Sequence, residues 1–457
     1  MSTEHSKRAA KFTADVEKTT WHDATFWSVR QKRDKMAHEL PEWEDLRELA
    51  SEIKMHTITH LADYLDVFSK NLESRGVKVH WAKDAQEFNE IVLGILNDHH
   101  VKKMVKSKSM LTEECEMNPY LEKHGIDVVE TDLGERIIQL LGQKPSHIVM
   151  PAIHLKREEV GKMFEEKGNS KEIGTYDPTY LTLCARHQLR DQFMEAGAGM
   201  TGCNFGVAET GDCVVCTNEG NADMTTSMPK LHIVAMGIEK LVPDYKSLAV
   251  FQRLLCRCGT GQPTTAFTSH FRQARPGAEM HVVLVDNGRS DILADKDHWQ
   301  TLKCMRCGAC MNTCPVYRRS GGYSYTYFIP GPVGVNLGML KNPQKYADNV
   351  SACTLCLSCD NVCPSKVGPG SQIYVWRQSL DKLGKANPIK KAMSSGMEYL
   401  FDRPSLYTTA LKFAPLANLI PECCTHFSNW NAWGIGHAMP EFAKKSFHQL
   451  WKEGKVK

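Results

Sequence analysis

Eight cysteines in two blocks carry the clearest chemistry in the chain. The first block reads Cys304-Met-Arg-Cys307-Gly-Ala-Cys310-Met-Asn-Thr-Cys314-Pro315, the second Cys353-Thr-Leu-Cys356-Leu-Ser-Cys359-Asp-Asn-Val-Cys363-Pro364. Both are C-x2-C-x2-C-x3-C-P, and each cysteine of the first has a counterpart 49 residues on. Three thiolates at this spacing wrap one face of an iron–sulfur cubane, while the fourth, held by its proline, ligates the other cluster. The pattern predicts one [4Fe–4S] cluster on Cys304, Cys307, Cys310 and Cys363, and a second on Cys353, Cys356, Cys359 and Cys314. The exchange keeps the two centres close enough to pass electrons. Zinc needs only C-x2-4-C pairs and has no use for a third step or for C-P. Disulfides need an oxidising compartment, and the polar start Met1-Ser-Thr-Glu-His-Ser-Lys-Arg8 carries no apolar export segment.

Two further stretches could bind a ligand. Val105-Lys106-Ser107-Lys108-Ser109-Met-Leu-Thr112-Glu113-Glu114 reads as a strand, a basic hydroxyl-rich turn, and a helix with an acidic first turn. Unpaired N–H groups at such a helix start favour an anion; solvated lysines with an ordinary N-cap are the alternative. The second stretch is Gly202-Cys-Asn204-Phe-Gly206-Val-Ala-Glu209-Thr-Gly211, followed by Asn218-Glu219-Gly220-Asn221. Turns explain the glycines but not the carboxylates and carboxamides beside them. Lys106, Lys108, Asn204, Glu209, Glu219 and Asn221 are therefore the candidate binding residues of a pocket. Glu209 is also a candidate carboxylate nucleophile, should this part transfer acyl groups. No G-x-G-x-x-G opens a βαβ unit, so no nicotinamide or flavin site of the Rossmann kind is expected. No catalytic residue can be named.

Periodicity gives the scaffold that holds these residues. Leu46, Leu49, Ile53, Ile58, Leu61, Leu65 and Phe68 repeat at helical spacing, which predicts a pair of N-terminal helices capping the next domain. Strands are expected at 77–81, 102–106, 126–131, 148–150, 214–217, 232–236 and 281–285, with a helix over 85–97. That alternation implies an α/β domain with a largely parallel sheet. The 38 residues between Cys314 and Cys353 exceed what a minimal ferredoxin uses, and 342–352 reads as a helix entering the second block. Residues 406–420 read as a surface or docking helix, because Lys412 and Pro415 interrupt their apolar run. Beyond them the tail is rich in tryptophan (Trp430, Trp433, Trp451) and holds the adjacent pair Cys423-Cys424.

Composition bounds the rest. A chain of 457 residues, 42% hydrophobic and 24% charged, has the make-up of an ordinary globular protein with room for two or three domains. A net charge of +3 excludes both a strongly basic nucleic-acid binder and an acidic tail. No run reaches the ~18 apolar residues of a membrane span. Of 17 cysteines, nine lie outside the two blocks without a paired framework, which points to a reducing cytoplasm. Among them Cys203, Cys213, Cys216, Cys256 and Cys258 match no ligand spacing. They are either buried small apolar residues or a further metal or redox site.

Lys106-Ser-Lys108-Ser-Met110, Pro151-Ala-Ile-His154, Asn204 to Gly211, Asn218 to Asn221, Met236-Gly-Ile-Glu239-Lys240 and Thr260-Gly-Gln-Pro263 resemble the LUD (lactate utilisation) domain. With the two cysteine blocks and Pro315-Val-Tyr317, the order of parts resembles the LutB family, iron–sulfur subunits of the LutABC L-lactate utilisation system. The likeness runs from about residue 20 to Lys445-Ser-Phe447-x3-Trp451. It implies an α/β LUD domain of NagB/RpiA/CoA-transferase-like fold over 76–290 and an α-helical ferredoxin domain over 291–385. A helical region, 1–75, precedes them and a helical tail, 386–457, comes after. It also implies oxidation of L-lactate to pyruvate beside a LutA-like cysteine-rich chain and a LutC-like LUD chain. Ala222-Asp223-Met224 departs from the small residue and arginine common at that point in the family, which removes a possible anion contact. The expected role is an electron-transfer subunit. The alternatives are a relay for another 2-hydroxy-acid or disulfide oxidoreductase, and a ligand-binding or acyl-transfer module with structural clusters.

Overall fold

Near-continuous buried runs build the central sheet of the molecule, seen in a computed structural model that describes residues 3–385, 388–420 and 441–456. Six strands, β1 (Lys78–Ala82), β2 (Lys103–Lys106), β3 (Asp127–Glu130), β4 (Ala198–Thr201), β7 (Leu231–Gly237) and β10 (Glu279–Val285), pair in the order β1-β10-β7-β4-β2-β3. Every pairing is parallel. Leu231, Ile233 and Ala235 of β7 join Val283 and Val285 of β10 in one core, against the helix Ala85–Asp98. Val234 and Met236 join Met280, Val282 and Leu284 in another, against the helix Leu61–Glu73. A sheet buried on both faces is what parallel strands with helical crossovers require.

Four shorter strands form a second sheet, in the order β8-β5-β6-β9: β5 (Phe205–Val207), β6 (Asp212–Thr217), β8 (Leu241–Val242) and β9 (Phe267–Phe271). Here β6 runs antiparallel to β5 and β9. Phe205, Val207 and Val214 pack with Trp43, Leu46 and Ala50 of the helix Trp43–Thr59, and with Met305, Ala309 and Val362 of the cysteine-bearing region. The N-terminal helices thus do more than cap the α/β part. His22 Nδ1 lies 2.6 Å from the Arg318 carbonyl, Arg33 donates to the Val362 carbonyl at 3.3 Å, and Arg47 donates to the Cys363 carbonyl at 3.1 Å. Residues 1–380 form one compact unit.

Several expected elements differ. Residues 148–150 are a bend, not a strand, because the N–H groups of Val149 and Met150 donate to His147 Nδ1 at 3.1 and 3.0 Å. Strand β4 carries no signal in the sequence. Its residues Ala-Gly-Met-Thr are few and small because a Cβ at Gly199 would sit 1.8 Å from the Thr225 carbonyl oxygen. Residues 342–352 hold a one-turn helix, Pro343–Tyr346, and a 3-10 turn, Ala347–Ala352.

The second unit, Asp381–Lys457, contains helices Pro388–Phe401, Pro404–Phe413 and Phe447–Lys452. The docking helix expected over 406–420 ends at Phe413 and gives way to a 3-10 turn. Cys423, Cys424, Trp430 and Trp433 lie outside the described residues. Among the described residues no helix is long and apolar enough to cross a membrane.

Candidate metal centres and an adjoining cavity

The two cysteine blocks repeat in backbone as well as in sequence. A 3-10 turn leads into each: Trp299–Lys303 before Cys304 and Ala347–Ala352 before Cys353. Two left-handed residues come next, Arg306 (φ 62°) and Gly308 (φ 81°) in the first block, Leu355 (φ 55°) and Leu357 (φ 56°) in the second. One-and-a-half-turn helices, Ala309–Thr313 and Ser358–Val362, then end on Cys314 and Cys363 with nearly equal dihedrals. The left-handed residues turn backbone N–H groups onto sulfur. Arg306 donates to Cys304 Sγ at 3.4 Å, and Leu355 donates to Cys353 Sγ at 3.3 Å. Tyr317 donates to Cys314 Sγ at 3.5 Å, and Val367 to Cys363 Sγ at 3.3 Å. Such bonds stabilise thiolate over thiol and tune cluster potential.

Cys304, Cys307, Cys310 and Cys363 line one small internal cavity, closed by Ile148, Val333 and Val367. Burial, then the charges of Cys304, Cys307 and Cys363, push the Cys310 thiol far up. Burial, then Cys307 and, more weakly, Cys304, push Cys363 up to about 12. Cys314 is pushed up to about 11 by burial, with Cys353 and Cys356 adding to it, and Cys359 is raised by burial with Cys314 among its neighbours. Such crowded thiols ionise together only around bound cations. The residues present therefore fit iron–sulfur clusters. Among the described residues, no cysteine set converges tightly enough for a single ion; the group that does is His99, Glu279 and His281.

The surroundings of the two blocks differ. Arg33, Arg47 and Lys303 crowd the first centre; Lys303 Nζ donates to Ser51 Oγ at 2.9 Å, and the Cys363 charge acts on it. Around the second, Cys356 is exposed and Asp360 Oδ1 lies 3.5 Å from Cys359 Sγ. Between them, the Thr313 and Ser358 hydroxyls meet at 2.6 Å, and Arg30 reaches both.

A larger cavity of about 330 Å³ opens where the α/β part meets the first block. Lys108, Asn204, Glu219 and Asn221 line it, with Asp132, Lys240 and, from the cysteine region, Arg306 and Cys307. Asn204 Oδ1 accepts the Cys216 N–H at 2.9 Å, and Lys108 donates to the Val149 carbonyl at 2.6 Å. Burial and Asp132 raise the Glu219 carboxyl. Arg289 donates to Glu239 at 2.5 Å and to Glu114 at 3.0 Å, and that attraction overcomes burial to hold Glu239 down at about 2. Lys240, Arg289 and Arg306 are members of this site that sequence reasoning misses. The Glu239-Lys240 pair stands within one of the LUD-like segments, but nothing local links it to Arg306, 66 residues on.

Two of the six candidate pocket residues are elsewhere. Lys106 is buried in an ion pair with Glu130 at 2.6 Å and donates to Thr112 Oγ1 at 2.9 Å, so its ammonium is spent inside the protein. Glu209 is exposed in the turn joining β5 and β6, its carbonyl accepting from Asn71 at 3.0 Å. The expected N-cap bond at Ser109 is absent, and the helix it opens, Met110–Glu114, has five residues. Cys203 and Cys213 are buried neighbours within the core between the sheets, the thiol of Cys213 raised by Cys203 and burial. Cys258 packs against Cys307. Cys203, Cys213, Cys256 and Cys258 are buried and Cys216 partly so, which accords with the apolar reading.

Comparison with known proteins agrees with these parts. Residues 65–290 match the LUD domain family and residues 300–367 the 4Fe-4S dicluster domain. Lactate utilization protein B of Oceanobacillus iheyensis is 39% identical over 438 residues, 93% of this chain and 91% of that protein. Its counterpart in Shouchella clausii is 40% identical over 430 residues, 91% of this chain and 89% of that protein. A crystal structure of a DUF162 family protein from Deinococcus radiodurans aligns at 13% identity with a TM-score of 0.28, covering 49% of this chain and 98% of that one.

Proposed function

Since the chain belongs to the lactate utilization protein B family, we propose that it is the iron–sulfur electron-transfer subunit of a complex that oxidises L-lactate to pyruvate. The observation that carries this is the repeated cysteine architecture, with Cys363 lining the cavity of the first block and Cys314 among the cysteines of the second. When bound, [4Fe–4S] clusters accept and release single electrons. Cys304, Cys307, Cys310 and Cys363 would hold one, and Cys353, Cys356, Cys359 and Cys314 the other.

The chain's own residues tune the two centres differently. Arg33, Arg47 and Lys303 favour an added electron at the first while its burial disfavours it; at the second the exposure of Cys356 favours it and the Asp360 carboxylate disfavours it. Arg30, bonded to Thr313 and Ser358, fixes the spacing of the two short helices that carry the exchanged cysteines. Lys108, Asn204, Glu219 and Asn221 form the ligand pocket of this reading. Among the described residues no group accepts a hydride, and in this reading the substrate carbon is oxidised with the help of partners: a LutA-like cysteine-rich chain and a LutC-like LUD chain. The double-faced parallel sheet with a smaller mixed sheet supports a NagB/RpiA/CoA-transferase-like fold for the LUD part. Unpaired cysteines beside oxygen-sensitive centres support a reducing, cytoplasmic setting.

A redox titration of the anaerobic protein followed by electron paramagnetic resonance tests the relay. Two reversible one-electron reductions support it. Centres that cannot be reduced reversibly would make the clusters structural staples, and acyl-CoA turnover by the chain would make the α/β part a transferase.

A further inference from the structure

The 330 Å³ cavity and the first cysteine block share a wall. Arg306 and Cys307 line the cavity together with Ser107, Lys108 and Asn221. Ser107 Oγ, Thr217 Oγ1, Asn221 Oδ1 and Arg306 Nη1, all on residues lining this cavity, are buried without a hydrogen-bond partner. Ser107 is 1% exposed and Asn221 6%, so bulk water does not serve them. Folded proteins leave few such atoms, and several around one cavity mark the place of a ligand.

Charged residues of both signs line the cavity. Arg289 is occupied by Glu114 and Glu239, the strongest charge acting on Lys240 is that of Glu239 with Arg306 next, and Arg306 keeps an unpartnered Nη1. Asp132 and Glu219 lie near Lys108. A small carboxylate with a hydroxyl or carbonyl beside it suits these unpartnered atoms: the carboxylate accepts from Arg306, a hydroxyl donates to Asn221 Oδ1, and a carbonyl accepts from the Ser107 or Thr217 hydroxyl.

We propose that the cavity binds a small 2-hydroxy or 2-oxo carboxylate, its carboxylate toward Arg306 and Lys240, and that binding is linked to the redox state of the centre on Cys304, Cys307, Cys310 and Cys363. The proposal rests on the reading that this centre is an iron–sulfur cluster. Reduction adds one negative charge to the shared wall, so the anion binds the oxidised protein more tightly. Reciprocity then requires the bound anion to lower the midpoint potential by the same factor. Coupling between neighbouring sites is typically about fivefold or more. For one electron, fivefold corresponds to roughly 40 mV, at 59 mV per factor of ten.

The test uses anaerobic, fully clustered protein. Calorimetry with sodium pyruvate and with L-lactate, on oxidised and on electrochemically reduced samples, gives four dissociation constants; acetate is the control. Redox titrations with and without the better ligand give the potential shift. Lys240→Met and Asn221→Leu are measured in parallel after their iron content is shown to equal the wild type. The expected result is millimolar or tighter binding, at least tenfold weaker in both variants and about fivefold weaker on reduction. Absence of binding in both redox states would overturn the proposal, as would binding indifferent to both variants or equal affinity for acetate. Equal affinity in both redox states, with an unmoved potential, would overturn the linkage. None of these failures touches the relay itself, which stands or falls on cluster content and on partner-dependent lactate oxidation.

Discussion

Cys314 belongs to the first block in sequence, yet the charges of Cys353 and Cys356 act on its thiol. Cys314→Ser should therefore damage the centre whose other ligands lie in the second block and spare the one beside it in sequence. Wild-type anaerobic protein should carry about eight iron atoms, and the variant about half. Loss of the signal from the centre on Cys304, Cys307 and Cys310 would contradict the exchange. The two cysteine blocks were legible because cluster chemistry dictates spacing directly, and residues 300–367 match the 4Fe-4S dicluster domain. The pocket was legible only in part. Lys106 and Lys108 look alike in the sequence, but Lys106 ends strand β2 in register with Glu130 of β3 and pairs with it, whereas Lys108 lies in the loop beyond the strand. Lys106→Met should cost about 3–5 kcal/mol in denaturant unfolding, by stranding a buried carboxylate. Lys108→Ala, by contrast, should change stability little and weaken ligand binding.

The short elements around the cysteines carry a strain that the sequence half reveals. Gly308 takes φ 81° without penalty, and a Cβ there would lie 3.0 Å from the His147 ring. Its equivalent, Leu357, takes φ 56° as a 42% exposed leucine. Left-handed geometry costs a non-glycine residue roughly 1–2 kcal/mol. Leu357→Gly should thus be neutral or stabilise by about 1 kcal/mol, whereas Gly308→Ala should destabilise by about 1–3 kcal/mol. Thermal unfolding of the two clustered variants measures both. The same contrast explains which elements could be read ahead of the structure. Strands β7 and β10 alternate apolar residues toward two cores and were expected. In the second sheet only β6 was expected, at 214–217; the short strands β4, β5 and β8 lack that pattern, because close approach at Gly199 and Gly206 chose their residues.

At the scale of the whole molecule, residues 1–380 fold as one unit in which arginines of the N-terminal helices bond carbonyls next to the cluster cysteines. No periodicity could announce that long-range clasp. The interior also holds histidines that resist protonation. Burial pushes His147 and His232 down to about 3 and His154 down to about 4. Each folded value lies below the ordinary 6.5, so the unfolded chain binds protons first as pH falls. Stability is complete above about 6.5 and declines below it, by ~1.4 kcal/mol per histidine at pH 5.5. The three together should cost roughly 4 kcal/mol between pH 7.5 and 5.5, read by anaerobic denaturant unfolding. His147→Gln should lower that slope by about a third.

The relay is tested most plainly when the purified, fully clustered chain is mixed anaerobically with L-lactate and an artificial electron acceptor. The mixture is run with and without the cysteine-rich and second LUD partner chains, and pyruvate is measured over time. Pyruvate, with reduction of both centres, is expected when the partners are present, and neither when the chain is alone. Pyruvate formed by the lone chain at the rate of the full mixture would contradict the relay and make this chain the catalytic subunit.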